Sequence, residues 1–271
     1  MSYWRGKSAI VTGAASGIGL ALSKALAERG VKLWMTDIDT TGLEKAVRGL
    51  GTAVRSVHLD VRDPDAFREL VERVVREEGR LDFLFNNAGI LISGEARDFD
   101  TLRFDRIIDV NIRGVVNGTM AAYPVMIRQG GGHIVNTASL GGLMPSPLMA
   151  AYGMSKHAVV GLTGSLRFEG EPYGVRFTAL CPAGVDTPML DESTEAHNLP
   201  VSSRPDVRRL LTRLAGKPCT PDIVAKEALR GVERNKATII VPWRARLTVK
   251  VYRFAPWIVH GIGKMVLASE R

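Results

Sequence analysis

The chain has few of the features that mark secreted, metal-stapled or membrane-spanning proteins. It holds only two cysteines in 271 residues, Cys181 and Cys219. They form no disulfide framework and no metal-ligand spacing, so they read as small buried thiols in a reducing compartment, and no metal site is expected. No run of 18 uncharged apolar residues occurs, so no transmembrane helix is expected. Arg5 and Lys7 ahead of the mostly apolar residues 8–27 mimic a signal peptide, but three glycines and Lys24 inside that stretch argue for another use. Internal repeats, low-complexity tracts and linkers are also missing, which leaves one domain.

Charge of one sign is scarce where a nucleic-acid surface would need it. The net charge is +8, yet residues 1–200 carry 21 Lys/Arg against 23 Asp/Glu, and residues 201–271 carry 15 against 5. The basic character belongs to the C-terminal part, and no nucleic-acid partner is expected. Apolar content of 45% and charged content of 24% suit a globular chain with a sizeable core.

What is present is an alternation. Short apolar runs at 8–11, 32–36, 54–59, 81–85, 133–138, 175–180 and 237–241 read as seven strands. Helical patterns lie between them: 20–29, a helix from Asp63-Pro64 to about Glu78, one long helix over 99–129, one over 149–173, and one from Thr220-Pro221 to about Asn235. Strand–helix alternation of this kind predicts an α/β fold, a single Rossmann-like, doubly wound parallel sheet of about seven strands with helices on both faces. Ligands then sit outside the C-terminal strand ends. Prolines at 200, 205 and 218 break residues 188–220 into short pieces, read as a substrate lid.

The first strand runs into Thr12-Gly13-Ala14-Ala15-Ser16-Gly17-Ile18-Gly19 and then a helix. Glycines let backbone approach a pyrophosphate, and a helix N-terminus offers free N–H groups and a favourable dipole. The second strand ends at Asp37, a carboxylate suited to the two hydroxyls of an adenosine ribose. It would repel a 2′-phosphate, which favours NAD over NADP. The third strand ends at Asp60-Val61 and the fourth at Asn86-Asn87-Ala88-Gly89. After the fifth strand comes SLGGLMPSPLMAAYGMSK, residues 139–156, with Tyr152 and Lys156 one helical turn apart. A phenol alone has a pKa near 10, too high for base chemistry at neutral pH, and a neighbouring cation lowers it. A Ser139 hydroxyl at the strand end suits the oxygen of a carbonyl or alcohol.

These motifs resemble the classical short-chain dehydrogenase/reductase family. The match is Thr12-Gly13-x-x-x-Gly17-x-Gly19, Asp60-Val61, Asn86 to Gly89, Asn111, Ser139, Tyr152-x-x-x-Lys156 and Pro182 to Thr187, in family order over residues 5–241. The resemblance implies an enzyme in which Tyr152 is the general acid/base. Lys156 lowers its pKa and holds the nicotinamide ribose, Ser139 steadies the substrate oxygen, and Asn111 helps order a proton-relay water. It also implies NAD contacts from Gly13, Ser16, Gly17, Ile18, Gly19, Asp37, Asp60, Val61, Asn87, Ala88, Gly89, Tyr152, Lys156, Pro182, Val185 and Thr187. Substrate contacts are expected from Ser139, Leu140, Tyr152 and Met189. The family's Pro-Gly pair is Pro182-Ala183 here, which puts the path of that loop in question.

The expected reaction is NAD-dependent interconversion of a secondary alcohol and a ketone. No charged side chain appears over 139–151. Leu140, Leu143, Met144, Leu148 and Met149 are candidates to line an apolar, steroid- or lipid-like substrate. The alternatives are a 3-oxoacyl carrier-protein reductase, docked through the basic C-terminal region, and a nucleotide-binding regulatory protein without turnover. Residues 1–241 are read as the catalytic domain, in a cytoplasmic homodimer or homotetramer. The basic extension 242–271 packs on the domain or a partner surface, or its residues 243–267 touch a membrane peripherally. Trp243, Leu247, Val251 and Phe254 form one apolar stripe there, with Arg246, Lys250 and Arg253 alongside. Ala245, Val249 and Tyr252 leave the other face not cleanly polar.

Overall fold

The computed structural model describes residues 3–192 and 205–268. Strands β1 (Ser8–Thr12), β2 (Lys32–Asp37), β3 (Val54–His58), β4 (Phe83–Asn86), β5 (Gly132–Thr137), β6 (Val175–Pro182) and β7 (Thr238–Val241) form one sheet in the order β3-β2-β1-β4-β5-β6-β7. All neighbours pair in parallel. The helices are α1 (Gly17–Ala27), α2 (Thr40–Val47), α3 (Pro64–Glu78), α4 (Thr101–Ile108), α5 (Gly114–Arg128), α6 (Ala150–Gly170), α7 (Met189–Glu192), α8 (Val207–Ala215), α9 (Pro221–Glu233), α10 (Trp243–Phe254) and α11 (Pro256–Ala268).

The β1 sequence SAIVT explains why the sheet needs cover on both faces, since all five of its residues are buried. Ala9 and Val11 face Leu22 and Leu26 of α1 and Ala228 and Leu229 of α9. Ile10 faces the other way, with Phe67 and Val71 of α3 and Met126 of α5. The strand order turns at β1 and β4, so a crevice opens beyond their C-terminal ends.

Local chemistry sets the helix ends. Asp63 Oδ1 accepts from the Asp65 and Ala66 N–H groups, Pro64 fills the first turn, and Gly79 at φ +82° closes α3. Thr220 stands at the N-cap of α9 but makes no side-chain cap bond, so Pro221 alone marks that start.

Three elements differ from the sequence expectation. Helix α2 had no strong apolar period to reveal it. It starts because Asp39 accepts from the Gly42 N–H. The single helix expected over 99–129 is split by a π-helical turn, Asp109–Arg113, between α4 and α5. Its extra residue lets the Asn111 side chain bond outside the helix, as described below. The expected helix to Tyr173 ends as α6 at Gly170, and a 3-10 turn carries the chain to Tyr173. Of the expected lid, α7 and α8 are seen, and residues 193–204, including Pro200, lie outside the described residues. Both cysteines are free and buried. No helix among the described residues is long and apolar enough to cross a membrane.

Candidate active site

The glycine turn after β1 is tight because its atoms leave no room. Gly13 and Gly17 have φ of +65° and +52°, and a Cβ on Gly19 would lie 1.9 Å from the Gly13 carbonyl oxygen. Ser16 caps α1 without a side-chain bond, so the first N–H groups of this helix stay open toward the crevice. Thr12 ties the ends of β1 and β4 together. Its Oγ1 accepts from the Asn87 and Ala88 N–H groups at 2.9 and 3.0 Å, and Asn87 Nδ2 donates to the Thr12 carbonyl at 3.0 Å.

Above this floor lies a cavity of about 400 Å³, within the size range of cofactor sites. Gly13, Ser16, Gly17, Ile18, Asp37, Asp60, Val61, Asn87, Ala88, Gly89, Tyr152, Lys156, Pro182 and Thr187 line it. Asp37 is held in place at the far end, where its two oxygens accept from the Ala15 and Asp39 N–H groups. The Arg62 guanidinium grips Asp60 through both carboxylate oxygens and holds that carboxyl below its ordinary pKa. An uncapped helix N-terminus, a glycine cradle and a distal carboxylate in one elongated cavity fit a dinucleotide.

Two expected cofactor contacts lie elsewhere. Gly19 is packed on Gly13 one layer beneath the lining, so what its position requires is the lack of a side chain. Val185 lines a second cavity instead, because it bridges in parallel to Cys219 after β6 has ended. Ala183, despite replacing glycine, is not among the positive-φ residues, and its N–H donates to the Val241 carbonyl at 2.7 Å. The loop therefore carries the alanine without strain.

At the inner end, Lys156 is buried and its Nζ donates to the Thr137 carbonyl at 2.9 Å. It sits 5.6 Å from the centre of the Tyr152 ring. Burial lowers the Lys156 pKa to about 8. Burial also raises the Tyr152 pKa, and a hydrogen bond from Ser139 opposes that rise. The sequence assigned that lowering to Lys156. In this geometry the ammonium stands beside the ring and donates to the Thr137 carbonyl, and the Ser139 hydroxyl is a second group that acts on the phenol. Ser139 is itself oriented by the Gly141 N–H.

Asn111 lines neither cavity. Its Oδ1 accepts from the Ile90 N–H at 2.8 Å, and its Nδ2 donates to the Ile90 carbonyl at 2.9 Å and to Ser155 Oγ at 3.1 Å. Both Nδ2 protons are thus used in clamping the loop after β4 to α6, and Oδ1 keeps one lone pair.

The second cavity, about 120 Å³, is lined by Ser139, Leu140, Met144, Met149, Val185, Met189, Leu190, Leu211 and Leu214 among others, and no charged side chain among the described residues lines it. All four expected substrate contacts, Ser139, Leu140, Tyr152 and Met189, are on its wall. Leu143 and Leu148 are not. Leu143 packs with Val159 and Cys181, and Leu148, at φ 59°, packs with Leu91 and Met149. The two cavities share Ile18, Tyr152, Pro182, Thr187 and Met189. The phenol therefore stands where they meet. Sequence reasoning missed Thr137, which acts through a carbonyl, and Leu91, Leu211 and Leu214, which look like ordinary core leucines. No local pattern marks either kind.

The comparisons agree with this geometry. The family model for short chain dehydrogenases matches residues 7–198. SadH of Mycobacterium tuberculosis, described as an oxidoreductase, is 38% identical over 253 residues, covering 91% of this chain and 90% of the relative. A short chain dehydrogenase/reductase from Burkholderia phymatum, solved in complex with NAD, superposes with a TM-score of 0.84 at 30% identity, covering 95% of this chain and 96% of the other. A 3-ketoacyl-(acyl-carrier-protein) reductase from Brucella melitensis, solved with NADH, gives 0.78 at 30% identity, covering 89% and 99%. The likeness therefore runs along nearly the whole chain, and the protein belongs to the short-chain dehydrogenase/reductase family of oxidoreductases.

Proposed function

We propose that this chain is an NAD-dependent dehydrogenase that interconverts a secondary alcohol and a ketone on an uncharged, apolar substrate. The reading is carried by the position of Tyr152, on the wall between a polar dinucleotide cavity and an apolar cavity that no charged side chain among the described residues lines. Residues 1–241 are the catalytic unit. Gly13, Ser16, Gly17, Ile18 and the N-terminus of α1 hold the pyrophosphate. Asp37 takes the adenosine ribose and disfavours a 2′-phosphate, and of the two arginines that line this cavity among the described residues, Arg62 is committed to Asp60. Asp60 and Val61 flank the same end. Asn87, Ala88, Gly89, Lys156, Pro182 and Thr187 hold the nicotinamide end. Solved relatives in complex with NAD and NADH support this choice of cofactor.

The bound nicotinamide supplies the two-electron acceptor or donor. The chain itself handles the proton. In the oxidative direction the substrate hydroxyl gives its proton to Tyr152 Oη, and in the reductive direction the phenol returns it. Ser139 holds the reacting oxygen and stabilises the phenolate. Lys156 keeps a positive charge beside the ring, and Asn111 fixes the loop that carries Ile90 and helps order a relay water. A cytoplasmic homodimer or homotetramer is the assembly we assign. A second reading, a 3-oxoacyl carrier-protein reductase, is favoured by the Brucella melitensis likeness.

The test is a panel of secondary alcohols and ketones of increasing apolar size, beside a 3-oxoacyl thioester, with NAD and NADP. Apolar ketones should lead, and Tyr152→Phe should lose at least about a hundredfold in turnover with cofactor binding intact. Preference for the thioester selects the second reading. Near-normal turnover in the variant means that the proton goes elsewhere than Tyr152, and no turnover of any panel member by the wild type leaves a nucleotide-binding protein.

A further inference from the structure

We propose that the C-terminal hairpin of α10 and α11 docks this protein on an anionic lipid surface. The sequence left the two faces of α10 ambiguous, and the structure separates them. Ala245 is buried, Val249 and Tyr252 are half-buried, and this face lies toward the domain next to β7. Of the expected stripe, Trp243, Leu247 and Phe254 stay exposed, at 75%, 61% and 77%, and Val251 is half-buried. On α11, Trp257, Ile258 and Met265 are exposed as well. Such a concentration of large apolar groups marks an interaction surface.

The surrounding charge has one sign. Arg246, Lys250 and Arg253 are exposed along α10, and residues 243–268 include no Asp or Glu. Arg246 also lines a surface groove with Arg230, Arg234 and Lys236. The one carboxylate lining that groove, Glu227, pairs with Arg230 at 3.1 Å. A second copy of this chain meeting the patch across a two-fold axis would set these cations against themselves. A lipid surface with anionic headgroups complements both parts, the cations at the headgroups and the tryptophans at the boundary with the acyl region. The hairpin also adjoins the apolar cavity, since Val266 of α11 packs against the cluster of Leu91, Met149, Leu190, Val207 and Leu210, and Leu91, Met149 and Leu190 line that cavity.

The experiment uses the full chain without substrate or cofactor, so its outcome is independent of the proposed reaction. Vesicles of phosphatidylcholine, alone or with about a third phosphatidylglycerol, are added at low and high salt. Co-sedimentation and tryptophan emission are read together. Trp4 and Trp34 are buried, so an emission shift to the blue reports Trp243 and Trp257. The expected result is binding to the anionic vesicles at low salt with that shift, weaker by at least about tenfold at high salt or in Lys250→Glu with Arg253→Glu. Phe254→Glu with Trp257→Glu should abolish binding at an unchanged melting temperature. A full-length protein left in the supernatant with anionic vesicles at low salt overturns the proposal. So does undiminished binding by the Phe254/Trp257 variant. If that variant instead changes the mass of the free protein in sedimentation, the stripe joins copies of the chain and the proposal fails.

Discussion

His133 should set much of the acid stability of this protein. Its ring lies in β5, buried at 2% exposure. Nε2 is 2.8 Å from Thr178 Oγ1, and the Thr178 hydroxyl donates onward to the Lys236 carbonyl at 2.7 Å. The threonine proton is therefore spent, so Nε2 must be the donor and Nδ1 carries the bare lone pair. Nδ1 has no partner. A proton placed there would be a buried charge facing Arg176 and Arg167, and burial with these cations pulls the pKa from 6.5 to about 3. The folded state keeps the ring neutral, whereas the unfolded chain takes up a proton below 6.5. Stability is thus complete above that pH and drains as pH falls toward 3. At pH 5 the unfolded chain gains roughly 30-fold from protonation, a loss of about 2 kcal/mol, and at pH 4 the loss is about 3 kcal/mol. Urea unfolding of the wild type and His133→Gln at pH 8 and pH 5 isolates this share, since other carboxylates and histidines cancel. Protein concentration is held fixed, because subunit association also contributes to apparent stability. The variant should begin weaker at pH 8, having lost the Thr178 bond, yet its drop to pH 5 should be smaller by about 2 kcal/mol. Equal drops in the two proteins would refute the argument, as would a His133 ring signal titrating near 6.5.

Asp37→Ala should reduce the preference for NAD over NADP, read by calorimetric titration of both cofactors, and equal or tighter NADP binding by the wild type would contradict the role given to this carboxylate. Gly19→Val should abolish dinucleotide binding, because its Cβ falls 1.9 Å from the Gly13 carbonyl, and a normal NAD titration would show that the turn can open. Ser139→Ala removes the bond that lowers the Tyr152 pKa, so the pH at which alcohol oxidation reaches half its plateau should move upward. An unmoved limb in the residual activity would mean that another group ionises.

The sheet was legible because its signals are local. Most strands are built on a short apolar run, with β3, VRSVH, the exception, and Asp63, Pro64 and Gly79 punctuate α3 without help from distant contacts. Tyr152 and Lys156 were legible because one helical turn fixes their relation. The π turn at Asn111 was not, since it depends on Ile90 offering its backbone across the crevice, and an isolated stretch of helix holds no sign of that offer. The same holds for the pKa of Tyr152. The Y-x-x-x-K spacing pointed to the lysine, while the Ser139 hydroxyl that also acts on the phenol lies thirteen residues upstream and becomes its neighbour only in the fold. Val185 looked like a cofactor contact from its place after Pro182, and the bridge to Cys219 turned it to the other cavity. Leu211 and Leu214 are separated from Tyr152 by some sixty residues of chain, and only folding makes them neighbours of the phenol.

The narrow overlap between the two cavities gives the protein a modular path for change. Met144, Met149, Leu211 and Leu214 line the apolar cavity and not the dinucleotide cavity, so their side chains can be exchanged with little change to the residues that hold the dinucleotide, Tyr152 beside Met149 being the point of contact between the two. Methionine is unbranched and adapts to new neighbours at small energetic cost, which widens the range of tolerated swaps. A library confined to those four positions should therefore diversify substrate choice while cofactor affinity stays constant. Substitutions at Ile18, Thr187 or Met189, which both cavities share, should alter the two together.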